Sequence, residues 1–344
     1  MAWYNDTKIQ ADVAISSRIR LARNVSPYPF VSKISGSESK KIIELCQIAR
    51  SKSTWLSEDT EFIELGTLSG IQLQKMVEKN LISSDLFGKI ENRGIIISKD
   101  ETISIMLNEE DHIRIQCILS GLDLENAWHL ADKVDNTIED NVDYSFSSQL
   151  GYLTCCPSNL GTGMRASVML HLPALSMLRR MGSILNAAGK IGITLRGVYG
   201  EGSDAVAYLY QVSNQITLGI PELAIIEKLK DIVEIIITKE KEARDSIMKF
   251  QGNYLRDKVC RSLGIMRSAV LMSSNEFMKL WSDVMLGINL GIIDSVTSKK
   301  LMETRILASP AHILDMYQDS DSSTNRDLIR ASFIREQLKD KSEV

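Results

Sequence analysis

The stretch DVAISSRIRLA, residues 12–22, alternates apolar and polar side chains along its length. Successive side chains of a β-strand point to opposite faces, so this period of two predicts a half-buried strand. The face directed at a core would carry Val13, Ile15, Ile19 and Leu21. The opposite face would carry Ser16, Arg18 and Arg20. The strand therefore predicts a sheet that presents arginine on its open face.

Seven further segments before Pro221 have a short, strand-like pattern. Several follow one another too closely for a crossover helix, which favours antiparallel pairing. Helical patterns lie between them, and beyond Pro221 the apolar period is that of helices throughout. We therefore predict an α+β fold, with a largely antiparallel sheet of about eight strands flanked by helices in residues 1–221, and an all-helical part in residues 222–344. The further strand segments are 93–100, 102–109, 112–119, 150–156, 165–172, 191–199 and 205–219.

Composition argues against several classes of function. The formal net charge of -4 and the pI of about 5.7 do not favour a nucleic-acid surface. No apolar run approaches the roughly 20 residues that span a bilayer, and the N-terminal residues lack the apolar core of a secretory signal. An odd number of cysteines without C-x-x-C spacing argues against a disulfide framework and a structural zinc site. We expect a cytoplasmic protein that holds no metal of its own.

Arg18 and Arg20 stand two apart on one predicted strand and so share a face. Two planar, permanently charged guanidinium groups on one face suit a polyphosphate. Taken alone, the pair is better interpreted as two solvated charges.

Two acid-bearing motifs are also ambiguous when taken singly. NEEDHIR, residues 108–114, sets three acids directly after an apolar strand pattern, as a solvated turn often does. The same position allows the acids to reach a cationic substrate while Arg114 reaches a phosphate. RGVYGEG, residues 196–202, predicts a mobile, glycine-rich loop with one base and one acid, although a plain β-turn is the better interpretation of this motif taken alone.

Residues 156–166, CPSNLGTGMRA, contain a superficial match to the dinucleotide-binding G-x-G-x-x-A turn. That turn needs a helix after the glycines and an acid at the end of the next strand. Here the glycines precede a strand-like pattern that Pro173 closes, and Arg196 stands where the acid belongs. We therefore interpret the segment as a flexible turn that delivers Arg165 into a phosphate site.

Together these motifs resemble the ATP:guanido phosphotransferase (phosphagen kinase) family, in the family's order and spacing, over about residues 12–220. Within the family the chain is most similar to the branch that phosphorylates arginine in proteins. Only fifteen residues precede Ser16, where small-molecule kinases have a helical domain, and RDLIRA, residues 326–331, matches that branch's RDxxRA motif. The resemblance implies a catalytic domain in residues 1–221 and a helical domain in residues 222–344.

The resemblance implies that ATP is the phosphoryl donor and that Mg²⁺ is carried on its phosphates. Arginines would form a cage around the triphosphate: Arg18, Arg20, Arg114, Arg165 and Arg196. The segments around them would also contact ATP, through Ser16, Ser17, Ile19, Ala166, Ser167, Val168, Met169, Gly197, Val198, Tyr199, Gly200 and Glu201. The resemblance implies that Asn80 would be a further nucleotide contact, at a position where this branch usually has histidine.

The same resemblance assigns the acceptor side of the site. Glu110 and Glu201 match two carboxylates that hold and deprotonate the guanidinium, with Glu109 beside them. Cys156 matches a reactive cysteine next to the substrate. A base is needed because a guanidinium, with a pKa above about 12, is a poor nucleophile while it is protonated.

The RDLIRA motif comprises Arg326, Asp327, Leu328, Ile329, Arg330 and Ala331. Its arginines stand four apart on one helical face beside the aspartate. Two arginines can hold a phosphate while an aspartate holds the attached guanidinium, so the motif suits phosphoarginine as an allosteric ligand. A solvated helix surface is the alternative.

Expected partners follow from the resemblance alone. They are proteins with exposed arginines, an McsA-type activator, a heat-shock repressor and an AAA+ unfoldase-protease, in a stress response that marks proteins for degradation. We also expect a homodimer through the helical part, and no direct binding of nucleic acid or membrane. Two alternatives stay open: a phosphoarginine-binding homologue with weak or no kinase activity, and a kinase of small guanidino compounds.

Overall fold

The computed structural model describes residues 2–5, 11–87, 90–198, 205–316 and 323–339. Its strands are β1 Ala14–Arg23, β2 Thr60–Glu64, β3 Gly94–Ser98, β4 Ile103–Leu107, β5 Ile113–Ser120, β6 Phe146–Ser147, β7 Gly151–Tyr152, β8 Met164–His171, β9 Ile193–Gly197 and β10 Leu209–Asn214. Eight of them form one sheet in the order β2-β3-β4-β5-β1-β8-β10-β9, and all its described pairings are antiparallel. The predicted α+β class and the predicted sheet are confirmed.

Helices flank the sheet and make up the C-terminal part. They are α1 Gly36–Lys52, α2 Thr54–Asp59, α3 Gly70–Glu78, α4 Leu124–Glu139, α5 Pro173–Met177, α6 Met181–Lys190, α7 Glu222–Ser268, α8 Ser274–Asn289, α9 Ser298–Leu307, α10 Pro310–Met316 and α11 Ser323–Gln337. Among the described residues, none of these helices is both long and apolar enough to cross a membrane.

One face of the sheet is packed. Ile19 on the central strand β1 pairs with Cys117 on β5 and with Ala166 on β8, and all three side chains are fully buried. Helix α4 packs across β1 and β5, and α7 packs across β8 and β10. The alternating apolar and polar side chains of residues 12–22 therefore lie on two different faces of the sheet. The apolar ones lie on this packed face and the polar ones on the opposite, open face.

The open face is covered at one end. Leu73, Leu81 and Leu86 form a separate apolar cluster against side chains of β3 and β4. The rest of the open face, from β5 to β9, carries mainly polar side chains, with the apolar Ile118 and Met169 among them. This arrangement leaves a broad polar surface over the middle of the sheet.

The long helix α7 joins the sheet to the C-terminal helices. It begins at Glu222, where the sequence predicts the change to helices, and it kinks at Gln251, whose φ is -137°. Before the kink, Glu240 accepts hydrogen bonds from the N–H groups of Ala174 (3.1 Å) and Leu175 (2.9 Å), so it caps α5. The division at residue 221 stays a prediction, and this first half of α7 packs against the sheet.

Two strand assignments differ from the prediction. Residues 150–156 contribute only the short strand β7, which pairs with β6 outside the large sheet. Gly151 has a φ of +71° and approaches Gly161 so closely that a Cβ would lie 2.4 Å from the Gly161 oxygen, so an ordinary strand cannot continue there. The sequence pattern did not predict β2, which is an edge strand and brings the number of strands in the large sheet to eight.

Candidate active site

The five predicted arginines lie on the open face. Arg20 on β1 pairs in register with Arg165 on β8, and Arg114 on β5 pairs with Ala22, two residues along β1. Arg18 donates from Nη2 to Oε1 of Gln211 on β10, at 3.1 Å. Gln211 in turn pairs with Arg196 on β9. Four strands that are distant in sequence, β1, β5, β8 and β9, therefore bring five guanidinium groups to one surface.

Arg20 and Arg165 have buried donors that no described protein group satisfies. The Nε atom of each is buried and has no hydrogen-bond partner among the residues that the structure describes. Burial, and then the charges of Arg18, Arg114 and Arg165, hold the pKa of Arg20 well below its usual value. The pKa of Arg165 is lowered by burial and by Arg196 and Arg114. Buried donors are normally paired, so this cluster fits an anion with several oxygens, such as a triphosphate.

A narrow cleft continues the arginine surface toward α3. Its lining includes predicted residues from three separate segments: Ser16, Arg18, Asn80, Ser167 and Met169, together with Gln211. Asn80 has a left-handed φ of 60°, a conformation in which asparagine is common. Its carbonyl accepts a 2.7 Å hydrogen bond from Nε2 of Gln116, which fixes this wall of the cleft to the sheet.

Four of the predicted nucleotide residues have side chains on the packed face instead. Ile19, Ala166 and Val168 are fully buried there. The Ser17 hydroxyl donates to the Gly121 carbonyl and accepts from the Asp123 N–H, both at 2.9 Å. The prediction assigned every residue of each strand segment to the nucleotide site. In a β-strand, however, alternate side chains point to opposite faces, so only every second one can lie on the open face.

The acidic motif forms the tight connection between β4 and β5. Asn108, with a φ of 59°, donates its N–H to the His112 carbonyl at 2.8 Å. Glu110 is exposed at the tip of this connection. Its pKa is raised by partial burial and by the charges of Asp111 and Glu109. An exposed carboxylate with a raised pKa is suited to accept a proton from a cationic group.

Glu109 has a different position from Glu110. It is buried and accepts a 2.6 Å hydrogen bond from Nη1 of Arg114. Burial alone would raise the pKa of Glu109, but the charge of Arg114 and hydrogen bonds from Arg114, the Glu110 N–H and the Ser83 hydroxyl together lower it. Glu109 therefore fixes Arg114 between the arginine surface and the acidic connection.

Replacing Glu109 by glutamine should destabilise the fold at neutral pH, by about 1–3 kcal/mol for one lost charged hydrogen bond. The folded pKa of Glu109 lies below its unfolded value, so its contribution is present above the unfolded pKa and disappears as pH falls through the folded pKa. Urea unfolding across the acidic range measures this, with Glu61→Gln, an exposed carboxylate on β2, as the control. Equal stability of Glu109→Gln and the wild type at neutral pH would contradict the assignment.

Cys156 lies beside the acidic connection. Asp111 is buried and accepts hydrogen bonds from Nδ2 of Asn24 (2.6 Å) and from the Cys155 N–H (2.7 Å). The Cys156 sulfur is 3.0 Å from the Ser158 hydroxyl. Asp111 therefore joins the cysteine segment to the connection that carries Glu110.

Other positioning residues were not identified from the sequence. Ser213 accepts a 3.2 Å hydrogen bond from Nη2 of Arg165, and Gln211 holds Arg18. Arg196, Gly197 and Val198 are described, with Arg196 exposed. Tyr199, Gly200 and Glu201 lie outside the described residues.

Two family models account for most of the chain. The ATP:guanido phosphotransferase C-terminal catalytic domain matches residues 41–243, and the protein-arginine kinase McsB C-terminal domain matches residues 252–344. A protein-arginine kinase from Desulforamulus reducens is 44% identical over 339 residues, 98% of this chain and 95% of that protein. Another, from Clostridium acetobutylicum, is 43% identical over 337 residues, 98% of this chain and 99% of that protein. The chain belongs to the protein-arginine kinase family.

Solved structures agree with the fold of this kinase family. Lombricine kinase is similar at a TM-score of 0.60 and 25% identity, over 70% of this chain and 71% of that chain. A duplicated taurocyamine kinase from Schistosoma mansoni, with bound components of a transition-state analogue, has a TM-score of 0.62 and 23% identity. The match covers 79% of this chain and 40% of that one, and it shows the fold alone.

The kinase's RDLIRA motif lies on α11, and its side chains differ in burial and in hydrogen bonding. Arg330 is buried and donates from Nε to the Ala308 carbonyl (2.9 Å), and from Nη1 to the Met272 carbonyl (3.0 Å) and to Oδ1 of Asp327 (2.6 Å). Arg326 is half-buried, Leu328 is exposed, and Ile329 and Ala331 lie toward the core. Arg330 and Asp327 therefore pair with each other and join α11 to its neighbours.

Proposed function

We propose that this kinase transfers the γ-phosphoryl group of ATP to the guanidinium of arginine side chains in proteins. The arginine surface binds the triphosphate, and the acidic connection at residues 108–112 receives the acceptor. The observation that carries the proposal is that the Nε atoms of Arg20 and Arg165 are buried and have no hydrogen-bond partner among the described residues. On the same face, Arg114 forms an ion pair with Glu109, whose neighbour Glu110 has an exposed carboxylate.

Each group has a separate task in this mechanism. Arginines stabilise negative charge on the transferring phosphoryl group, which is the main contribution that a protein makes to this reaction. Glu110 and Glu201 clamp the planar guanidinium, and one of them takes its proton as the N–P bond forms and ADP departs. Mg²⁺ enters as part of the ATP substrate, bound to phosphate oxygens. Cys156 contributes to the acceptor side of the site.

The reaction is tested by incubating the chain with ATP labelled in the γ-phosphate and a basic unfolded protein. Phosphoarginine has an N–P bond, so the label in the protein fraction should be lost in acid and kept in base. Label that survives acid would point to a hydroxyl acceptor and would contradict the proposal. The absence of any label, with phosphoarginine binding retained, would support the binding homologue instead.

Free arginine should be a far poorer acceptor than arginine in a protein chain. The carboxylate of Glu110 is exposed at the tip of its connection, so an extended chain can approach it. Contacts along that chain supply binding energy that a free amino acid lacks. The measurement compares kcat/KM for free arginine with that for an unfolded protein. Comparable values would place the chain with kinases of small guanidino compounds.

A second site for phosphoarginine is proposed at Arg326 to Ala331. Arg326 has a partly exposed cation, whereas binding through Arg330 and Asp327 would require their mutual ion pair to open. Arg326→Ala should therefore weaken phosphoarginine binding by about tenfold or more without lowering the Tm. Lys299→Ala, at an exposed position on α9, is the control. If Arg326→Ala binds phosphoarginine like the wild type, and if the progress curve of its kinase reaction is also unchanged, the motif is only a structural helix surface.

The cellular setting is proposed from the family alone. We place the kinase in the cytoplasm, in a stress response in which phosphorylation regulates a heat-shock repressor and delivers proteins to an AAA+ unfoldase-protease, with an McsA-type protein as activator. A homodimer through residues 222–344 is supported by Phe250 and Tyr254, which expose 76% and 69% of their surfaces beside the kink in α7.

A further inference from the structure

A large cavity lies on the packed side of the sheet, opposite the arginine surface. Its volume is about 850 Å³, within the range of small-molecule sites. One wall is the turn between α5 and α6, and a second is the segment 205–210 that leads into β10. The third wall consists of α7 and α8 in the C-terminal part, through Lys258, Lys279 and Asp283. The cavity is therefore bounded by both parts of the chain.

Among the described residues that line this cavity, the charged side chains leave a positive excess. Nζ of Lys258 is 2.5 Å from Oδ1 of Asp283, and the Ser262 hydroxyl donates to Oδ2 of Asp283 at 3.0 Å. Asp283, the one carboxylate among the described lining residues, is thus already engaged. Arg179 and Lys279 are exposed and form no ion pair with any residue that the structure describes. These two cations belong to different walls of the cavity, Arg179 to the turn between α5 and α6 and Lys279 to α8.

The rest of the lining suits a ligand that is partly polar and partly apolar. The hydroxyl groups of Ser176 and Tyr210 lie 3.1 Å apart. Tyr208, Val206 and Met181 add apolar surface. Arg179 and Tyr208 have left-handed φ angles of 56° and 52°, which non-glycine residues rarely adopt and which cluster at ligand sites. The cavity is also too large for an inorganic ion alone.

We propose that this cavity binds a small organic phosphate monoester. The guanidinium of Arg179 and the ammonium of Lys279 bind the phosphate, while the surface around Tyr208 receives the organic group. Because the two cations belong to different parts of the chain, the ligand joins α8 to the turn between α5 and α6. The proposal goes beyond the kinase reaction, since binding here can be measured without phosphoryl transfer.

The test uses phenyl phosphate as the probe and isothermal titration as the readout. The background variant is Arg20→Met, which weakens binding at the arginine surface. Adding Arg179→Asn and Lys279→Gln should weaken binding by about tenfold or more, because two charged contacts are lost. Asparagine tolerates the left-handed backbone at position 179. The matched control adds Lys228→Gln and Arg256→Gln, at exposed positions of α7 outside the cavity, and should bind like the background.

A second measurement guards against misfolding. Phenyl phosphate should raise the Tm of the background variant, and the rise should disappear when Arg179 and Lys279 are changed. Equal binding by the cavity and control variants, or no binding by the background, would overturn the proposal. Equal affinity for inorganic phosphate and phenyl phosphate would overturn the assignment of an organic ligand. Failure of the kinase test would leave these binding results unaffected.

Discussion

Arg20→Ala should lower the rate of phosphoryl transfer by about 10³-fold or more, the lower end of what one arginine contributes in GTPases. Arg20 is central among the five arginines, on a middle strand of the sheet, and its buried Nε has no partner in the part of the chain that the structure describes. Single-turnover transfer from labelled ATP to an unfolded protein measures the effect. Arg20→Met, which keeps an unbranched apolar side chain, should show the same loss.

Arg20→Ala should be at least as stable as the wild type. Burial and three neighbouring arginines disfavour the charged form of Arg20, so removing it relieves repulsion in the folded state. Arg23, three residues along the same strand, provides the contrast. It is buried on the packed face, pairs with Asp135 at 2.6 Å, and stacks over Tyr152 at 3.5 Å. Arg23→Ala should cost about 3–5 kcal/mol. If Arg20→Ala also unfolds the protein, Arg20 belongs to the fold and not to the site.

Glu110→Gln should reduce phosphoryl transfer by at least about 10²-fold, the usual loss when a general base is removed. Glutamine keeps the shape of the side chain and loses its charge, so ATP should still bind. Glu91→Gln, an exposed glutamate just before β3, is the matched control and should transfer at the wild-type rate. Glu201→Gln should behave like Glu110→Gln. Near wild-type transfer by either variant would show that the carboxylate assignment is wrong.

The pH dependence should follow from the raised pKa of Glu110. Only the ionised carboxylate accepts a proton, so the rate of transfer should fall as pH drops through this pKa. The effect on stability has the opposite sign. A carboxyl whose folded pKa is raised contributes stability that is lost as pH rises through that pKa. Glu110→Gln should therefore be no less stable than the wild type at neutral pH, as thermal unfolding at two pH values would show.

The sheet was predictable because its strands have one packed face. Residues 12–22 carry the alternation that separates Ile19 from Arg20, and the observed register keeps that separation across β5 and β8. Two errors have local causes. The edge strand β2 is short and largely half-exposed, so its burial pattern is weak. Residues 150–156 look apolar and extended, but the left-handed Gly151 interrupts them.

The arginines of the site were predictable as residue types, while their arrangement was not. The sequence places Arg20 and Arg165 about 145 positions apart, and only strand pairing makes them neighbours. The sequence pattern also gave little indication of the polar residues that position the arginines and the cysteine segment. Gln211 and Ser213 look like ordinary alternating strand positions, and Asp111 looks like one more acid in a solvated run. Their roles depend on contacts with Arg18, Arg165 and Cys155 that no local pattern encodes.

The central claim is that arginines bind the phosphates of ATP, while the acidic connection at residues 108–112 binds and deprotonates the acceptor guanidinium. Titration of ATP into the wild type, Arg20→Ala and Glu110→Gln tests that separation directly. We expect Glu110→Gln to bind ATP with wild-type affinity, although it does not transfer the phosphoryl group. Arg20→Ala should bind about tenfold or more weakly, because a charge-assisted contact to phosphate is lost. Equal ATP affinity for Arg20→Ala and the wild type would contradict the claim.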